Sequence, residues 1–591
     1  MAKRTVVCDI EADGLLYNVT QIWCIVCKDW DTGEIFKWTP DNLNEFSEFA
    51  STVNQWIGHN FIAYDARVLK KILNIKIKPL HVTDTLLLSR LQKFTRKHSL
   101  AAWGEHLGFP KGNYEDFSKY TEEMLEYCVN DVELTYKVAV ALKSEGRERG
   151  SEEASKIENL VTNLLEDQHE LGFALDVPKA DALFAHLNNE ANTLSEMILD
   201  VSPDLPIDLG VIEPRYKKGG ELSKIGLKVY GTDYECVGGP FSKIGWEVFN
   251  LKSAKQKVKR LEPFWSPYVP TKSGESWKIC PENLATIYDD APQELKALGE
   301  YAMLTARAKE VEGWLDALRS DDRVHGDVLS TGAVTHRMSH RSPNMANIPS
   351  SGSPYGEECR SCFITDKPDT HVILGCDASG IQLRILAHYM DDPDYTHEVL
   401  NGDVHTTNLI AMGIPKGELI DGQYTSRPIA KTFIYAWLLG AGDTKVGQII
   451  GGTSEDGRRV KDTFLANTPA LATLKLKAAK AAGLGRMVGL DGRKIEVKSE
   501  HYALSCYLQG GEAVVMKYAM ILWHHWVKQR NLDARQVAVV HDEFQLEVRK
   551  EQADEVGELV RKSIIQAGKH FNLKCPMDGE YKTGLNWAET H

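Results

Sequence analysis

The chain has 591 residues but no uninterrupted apolar run long enough to cross a bilayer as a helix, so a helical membrane span is not expected. A secretory signal is not expected either. The N-terminus runs straight into strand-like Val6-Val7-Cys8, without the charged and apolar regions of a leader. Eleven cysteines are scattered without the spacing of a zinc site; Cys359 and Cys362 are read as an isolated C-x-x-C, and a reduced cytoplasm is expected. Positive charge is not in excess. The net charge of −14 argues, taken whole, mildly against a nucleic-acid binder, although metal-binding carboxylates count towards it and binding grooves are local. Hydrophobic content of 43% and charged content of 26% are ordinary for a soluble enzyme. The length exceeds one core, so roughly three or four domains or subdomains are expected.

What the sequence does have is carboxylates at strand ends. Val537 to Val548 reads as two β-rich runs flanking His541-Asp542-Glu543, a hairpin with acids at its tight end. By itself that is an ordinary solvated tip. A second apolar strand, His371 to Cys376, delivers Asp377 followed by Ala378-Ser379-Gly380. Two strands that each end in an aspartate place carboxylates where hard divalent cations such as Mg²⁺ find an oxygen donor set, and two such ions can clamp both ends of an in-line phosphoryl displacement.

The first third carries a separate set. Alternation along Val6 to Glu11 puts Asp9 and Glu11 on one side of a strand, which is costly unless a cation sits between them. Asn60 to Asp65 and then Tyr127 to Asp131, one helical turn apart, complete the order D-x-E, N-x-x-x-x-D, Y-x-x-x-D. Residues 1–148 thereby resemble the DEDD-type 3′–5′ proofreading exonucleases with a Tyr in the third motif. The resemblance implies a ribonuclease-H-like fold, two divalent metals held by Asp9, Glu11, Asp65 and Asp131, and Tyr127 orienting the attacking water. Asp84 to Ser89 and His98-Ser99-Leu100 are read as core and scaffold.

From Glu152 to about Ile198 apolar residues recur at helical spacing, interrupted at Gly172 to Val177. A Gly-, Pro-, Lys- and Tyr-rich insert follows near 202–245, and helical spacing resumes at Leu251 and again at Pro292. Residues 149–320 are read as a thumb of antiparallel helices with an insert at its tip. Lys252, Lys255, Lys257, Lys259 and Arg260 form either a solvated helix face or a track along a duplex backbone that adds affinity without sequence preference. Leu474 to Lys498 is similarly basic.

The C-terminal half resembles the family A (Pol I-type) DNA polymerases. Ser330 to Pro349 follows the T-G-R-x-S…P-N…N-I-P signature, with His336 where that family has Gly. Arg337 is implied to contact the minor-groove face of the primer end, where acceptors are shared by all correct pairs. Cys376 to Arg384 matches motif A: Asp377 and the Ala378 carbonyl are implied metal ligands. Gln382 stands where the family has Glu, at the sugar edge of the incoming nucleotide, which implies retained but weaker rejection of ribonucleotides. Arg427, Lys431 and Tyr435, in steps of four on one helix, match motif B and suit a triphosphate; His405 matches a phosphate-contacting His of the phage branch. Tyr435 implies tolerance of dideoxynucleotides, and Leu439 replaces a Tyr near the template base. Gln509 matches the helix that meets the primer–template minor groove. His541-Asp542-Glu543 matches motif C, with His541 towards DNA, Asp542 as second metal carboxylate and Glu543 as nearby support. Asp-Ala-Ser-Gly, Lys-Thr-Phe-Ile-Tyr and the terminal Gly-Leu-Asn-Trp-Ala resemble the phage T-seven-like replicative branch.

The expected architecture is α/β and multidomain: exonuclease over 1–148, thumb over 149–320, palm over 321–402 and 500–591, fingers over 403–499. The expected activity is primer extension with dNTPs on a DNA template, with proofreading and two Mg²⁺ in each site, Mn²⁺ substituting. Expected partners are primer–template DNA, phage replication proteins and, at the insert, host thioredoxin as processivity factor. The expected location is the cytoplasm of an infected bacterium. A stand-alone nuclease leaves Asp377, Lys431 and Asp542 without purpose, and a non-enzymatic clamp needs neither acid cluster. A single-subunit RNA polymerase shares the palm but not the N-terminal motif set.

Overall fold

The computed structural model describes residues 4–149, 151–212, 216–219, 221, 241–485, 487–497 and 499–590. Five strands, β1 (Arg4–Ala12), β2 (Ile22–Asp29), β3 (Ile35–Trp38), β4 (Val53–Gly58) and β5 (Val82–Asp84), form a sheet in the order β3-β2-β1-β4-β5. Strands β1, β4 and β5 run parallel, while β2 and β3 are antiparallel additions. Alternation along β1 separates its two faces. Val6, Cys8 and Ile10 join a core with Phe46, Phe61 and Val68, whereas Val7 packs with Met124, Leu125, Cys128 and Val132 of a later helix. Asp9 and Glu11 share the Val7 side. Two helices carry the remaining acids of this region: α1 (Asp65–Leu73) and α2 (Glu122–Arg149).

Helix α3 (Glu152–Leu171), read from the sequence as the start of the thumb, packs instead between the first sheet's domain and the C-terminal half. Asn159 donates to the Pro79 and Val82 carbonyls, and Arg67 pairs with Asp167 and Glu170. Glu158, fully buried, accepts from Arg493 at 2.7 Å and Lys517 at 2.6 Å. The basic stretch from Leu474 therefore contributes a buried cation at Arg493, which also pairs with Asp491.

The second sheet is built from β6 (His371–Ala378), β7 (Ala534–Val540), β8 (Glu543–Arg549) and β9 (Gly579–Gly584), antiparallel throughout in the order β7-β8-β6-β9. Leu374, Cys376, Phe544, Leu546 and Val548 pack beneath it with α6 (Ala503–Gln529) and α7 (Ala553–His570), through Val515, Met516, Trp523, Val560 and Ile564. The alternate residues Glu543, Gln545 and Glu547 have the pattern of a solvent face yet are buried. The C-terminal segment covers the first two, and the loop before β6 the third: Trp587 donates to Glu543 at 2.9 Å, Thr590 to Gln545 at 3.1 Å, and Thr365 to Glu547 at 2.9 Å.

Gly380, at a φ of +56°, turns β6 into helix α4 (Ile381–Met390), and residues 404–483 form a helical lobe that includes α5 (Arg427–Leu438). The chain divides into two compact units, Met1–Val177 with Trp314–His591, and Pro178–Gly313. Within the second, the helix Ala254–Leu261 is capped by Ser253, and Lys252, Lys255 and Lys259 are exposed along it while Leu261 enters a core with Ile198, Phe249 and Trp265. Of the insert near 202–245, an antiparallel pair, Leu205–Ile212 and Phe241–Glu247, is described; 213–215, 220 and 222–240 lie outside the described residues. No described helix is long and apolar enough to cross a membrane. Cys359 and Cys362 are both buried. The sequence holds a second such spacing, Cys24 to Cys27, but β2 sends those thiols to opposite faces and different cores, so one ion cannot join them.

Candidate active sites

The N-terminal acids converge on one face of the first sheet. Asp9, Glu11 and Cys128 present ligand atoms within 4.8 Å of one another. Asp65 stands at the start of α1, where its carboxylate accepts the Ile10 backbone N–H at 3.2 Å. The loop before it is tied down by Asp84, which accepts from the Asn60 and Ile62 amides while capping the helix Thr85–Gln92. Asp84 is thus scaffold. Helix α2 brings Tyr127 and Asp131 over the same face, and Cys128 lies 3.5 Å from the Asp9 carbonyl.

Crowding shapes the electrostatics. Burial, then the Asp131 charge, pushes Asp9 up to about 7. Burial, then the Asp9 charge, pushes Glu11 up to about 10, and burial followed by Asp9 raises Asp65. These carboxylates are held too close to ionise together unless positive charge joins them. Sequence reading missed the cation the fold supplies, Lys111. Its ammonium is 2.8 Å from Asp131 and 5.1 Å from the centre of the Tyr127 ring. Burial opposes its charge, but hydrogen bonds to Asp131 and Tyr127 outweigh that and hold the ammonium above its usual range. Lys111 stands in an irregular segment with no motif around it, so nothing in the sequence marked it. The hard oxygen donors, their mutual repulsion and this ammonium fit a site built for divalent cations.

The second cluster forms at the top of the four-stranded sheet. In the β6–β8 register Asp377 lies opposite Glu543, and the Ala378 N–H donates to the Asp542 carbonyl at 3.1 Å, so the two motif aspartates are neighbours. The turn joining β7 to β8 is only His541-Asp542. Its φ of +56° at His541 is the positive value needed by the first central residue of a type II′ hairpin turn. Burial raises the Asp542 carboxyl, while His541 and Arg337 oppose the shift. Glu543 points the other way, onto Trp587 and Gln545, with Arg360 at 3.8 Å.

Helix α5 faces this cluster. The Tyr435 phenol is raised by burial and then by the Asp542 and Asp377 charges, which puts it beside both. His405 lies 6.1 Å from Tyr435 between ring centres, and burial followed by the Arg427 and Lys431 charges lowers its pKa. Arg427 donates to Asp403 at 2.8 Å, and burial of Asp403 is outweighed by hydrogen bonds from Arg427 and Thr406 that hold it at about 2. Lys431 is exposed on the same helix, and Leu439 is exposed just past its end. Gln509, part-buried on α6, donates to Ser505 at 3.1 Å. Arg337 pairs with the carboxylate of Glu512, also on α6, and Gln382 interacts with the same carboxylate. His336 is buried in the left-handed region at a φ of +57°; its carbonyl accepts from Lys517 at 2.8 Å. Glu512 was not singled out from sequence, although a lone acid within Gly-Gly-Glu-Ala-Val-Val-Met was a visible signal.

Comparison with known proteins places these clusters in a family context. The model of "DNA polymerase family A" matches residues 239–589. The DNA-directed DNA polymerase of Escherichia phage T7 is 32% identical over 99% of this chain and 100% of its own length, and that of Enterobacteria phage T3 is 31% identical with the same coverage. DNA polymerase I of Pseudomonas aeruginosa is 30% identical over 46% of this chain and 30% of its own. Among solved structures, the POL domain of Pol1 from M. smegmatis, in complex with DNA primer-template and dNTP, superposes with a TM-score of 0.79 at 18% identity, covering 100% of this chain and 96% of that one.

Proposed function

The chain belongs to DNA polymerase family A and is a DNA-directed DNA polymerase of the phage T7 and T3 kind, and from that premise we propose that its two acid clusters are a polymerase site and a 3′–5′ proofreading site. The observation that carries the reading is the pairing of Asp377 with the Asp542 turn through the β6–β8 register, opposite a helix that presents Lys431 and Tyr435.

Divalent metals serve this family; here two Mg²⁺ per site, replaceable by Mn²⁺, would supply activation of the attacking oxygen and neutralisation of phosphate charge. Asp377, Asp542 and the Ala378 carbonyl would hold the polymerase pair, and Asp9, Glu11, Asp65 and Asp131 the exonuclease pair. Lys431, Arg427 and His405 bind the triphosphate of an incoming dNTP, the two cations by charge-assisted hydrogen bonds. Tyr435 and Gln382 bound its sugar. Arg337, Gln509 and His541 meet the primer–template minor groove. In the first sheet Tyr127 orients the water that attacks the terminal phosphodiester. Primer–template DNA and dNTPs are the substrates, as the M. smegmatis complex contains. The same proposal puts the enzyme in the cytoplasm of an infected bacterium, with phage replication proteins as partners and thioredoxin as processivity factor at the insert near 202–245. Unchanged product length on adding thioredoxin removes that partner.

A 5′-labelled primer–template incubated with Mg²⁺, with and without dNTPs, tests both sites. Extension with dNTPs and shortening without them is the expected result. Shortening under both conditions overturns the assignment of the second cluster.

A further inference from the structure

Helix α6 is apolar where it crosses beneath the polymerase cluster: Leu508, Gly510, Gly511, Ala513, Val514, Val515 and Met516 are all buried. Glu512 interrupts this run at 2% exposure. Packing gives no reason for it, since an apolar residue of similar size would avoid the desolvation that a buried carboxylate incurs. Its surroundings do give a reason. The carboxylate receives the Arg337 guanidinium, interacts with the Gln382 side chain from α4, and is close enough to Asp542 to feel its charge. It is therefore the single acceptor at which two residues from different segments, both facing the substrate in the reading above, converge.

We propose that Glu512 is a positioning residue for sugar selection, locking Gln382 and Arg337 into one arrangement at the nucleotide-binding face. Burial raises the Glu512 carboxyl, the Arg337 guanidinium beside it favours the ionised form, and an ionised carboxylate only accepts hydrogen bonds. It therefore turns the Gln382 NH₂ group towards itself and leaves the amide oxygen on the opposite side, removing the freedom an unanchored amide has to rotate or retract. A sugar with one additional hydroxyl must then displace a fixed side chain and disturb the Arg337 pair with it. Motif A of this chain has an amide at position 382 where the resembled family has an acid, and the acid at this point of the site is supplied from α6. Charge is conserved across the contact while its position is moved.

The inference rests on Gln382 lying at the sugar edge, and the test separates the two. Single-nucleotide incorporation of a dNTP and its matching rNTP gives kcat and KM for wild type, Glu512→Gln, Gln382→Ala and the exchange Gln382→Glu/Glu512→Gln. Shortening of a labelled primer without dNTPs verifies that each variant is folded. Glu512→Gln is expected to lower the dNTP:rNTP ratio of kcat/KM by about tenfold, the worth of one well-placed hydrogen bond to a charged group. The exchange is expected to recover most of that ratio, because the acid returns from α4 to the same guanidinium. An unchanged ratio in Gln382→Ala removes the sugar-edge reading itself. A reduced ratio in Gln382→Ala with none in Glu512→Gln removes only the role of Glu512, as does equal loss for dNTP and rNTP, or an exchange no better than Glu512→Gln.

Discussion

Glu158 on α3 joins three parts of the chain, and its removal gives a sharp test of how they are held. Its carboxylate is wholly buried and serves two cations, Arg493 and Lys517. In Glu158→Gln, Arg493 keeps Asp491, but Lys517 loses the carboxylate among its hydrogen-bond acceptors and is left with neutral oxygens, the amide at 158 and the His336 carbonyl. Breaking a buried pair from one side costs about 3–5 kcal/mol, because the uncompensated ion remains in the interior. Amide hydrogen exchange across α6 should therefore accelerate by about two to four orders of magnitude if that helix opens through the same cooperative step. Replacing both Glu158 and Lys517 with apolar residues, Glu158→Leu/Lys517→Met, should restore most of the protection, since Arg493 keeps Asp491 and no ion is then stranded. The pH dependence has a fixed sign. Burial, partly offset by Glu158, lowers Lys517 from 10.5 to about 8. A base lowered in the folded state weakens the fold while the unfolded chain would hold its proton, and that penalty fades as pH rises from about 8 to 10.5. Without Glu158 the lysine is lowered further, so the gap in urea midpoint between mutant and wild type should narrow from pH 7 to pH 9.5. Protection within about threefold of wild type in Glu158→Gln, under 1 kcal/mol, refutes the reasoning.

Three other outcomes follow from the first sheet. Asp9→Ala/Glu11→Ala should reduce primer shortening at least about 100-fold, the scale of misplacing reacting groups, while primer extension persists; undiminished shortening places the nuclease elsewhere. An acid raised in the folded state costs nothing at low pH. For Asp9 the penalty grows as pH rises from its unfolded value towards about 7 and is constant above. Metal-free protein should thus melt lower at pH 8 than at pH 5, Mg²⁺ should reverse the loss, and Asp9→Asn should shrink both effects in calorimetry. Lys111→Ala removes the ammonium paired with Asp131, so half-maximal primer shortening should need less Mg²⁺ than in wild type; an unchanged or higher requirement assigns Lys111 a different role.

The sequence alone determined the candidate residues and which strands and helices carry them. Period-two alternation in Val6 to Glu11 set Asp9 and Glu11 on one face, and steps of four in Arg427, Lys431 and Tyr435 set one helical face, because those periods are properties of the backbone itself. Motif order did the rest. What only the tertiary structure decided were the partners that reach a site from distant segments. Lys111 comes from a loop without a motif, Glu512 from a helix whose acid had no visible partner, and Trp587 from the last turn of the chain, burying a Glu543-Gln545-Glu547 face that its pattern assigns to solvent. Helix α3 has the periodicity of any amphipathic helix, and only its docking shows that Glu158 ties Arg493 to Lys517 rather than meeting water. Local patterns record which face of an element is buried; the neighbour that buries it is fixed by long-range packing, which leaves no period in the chain.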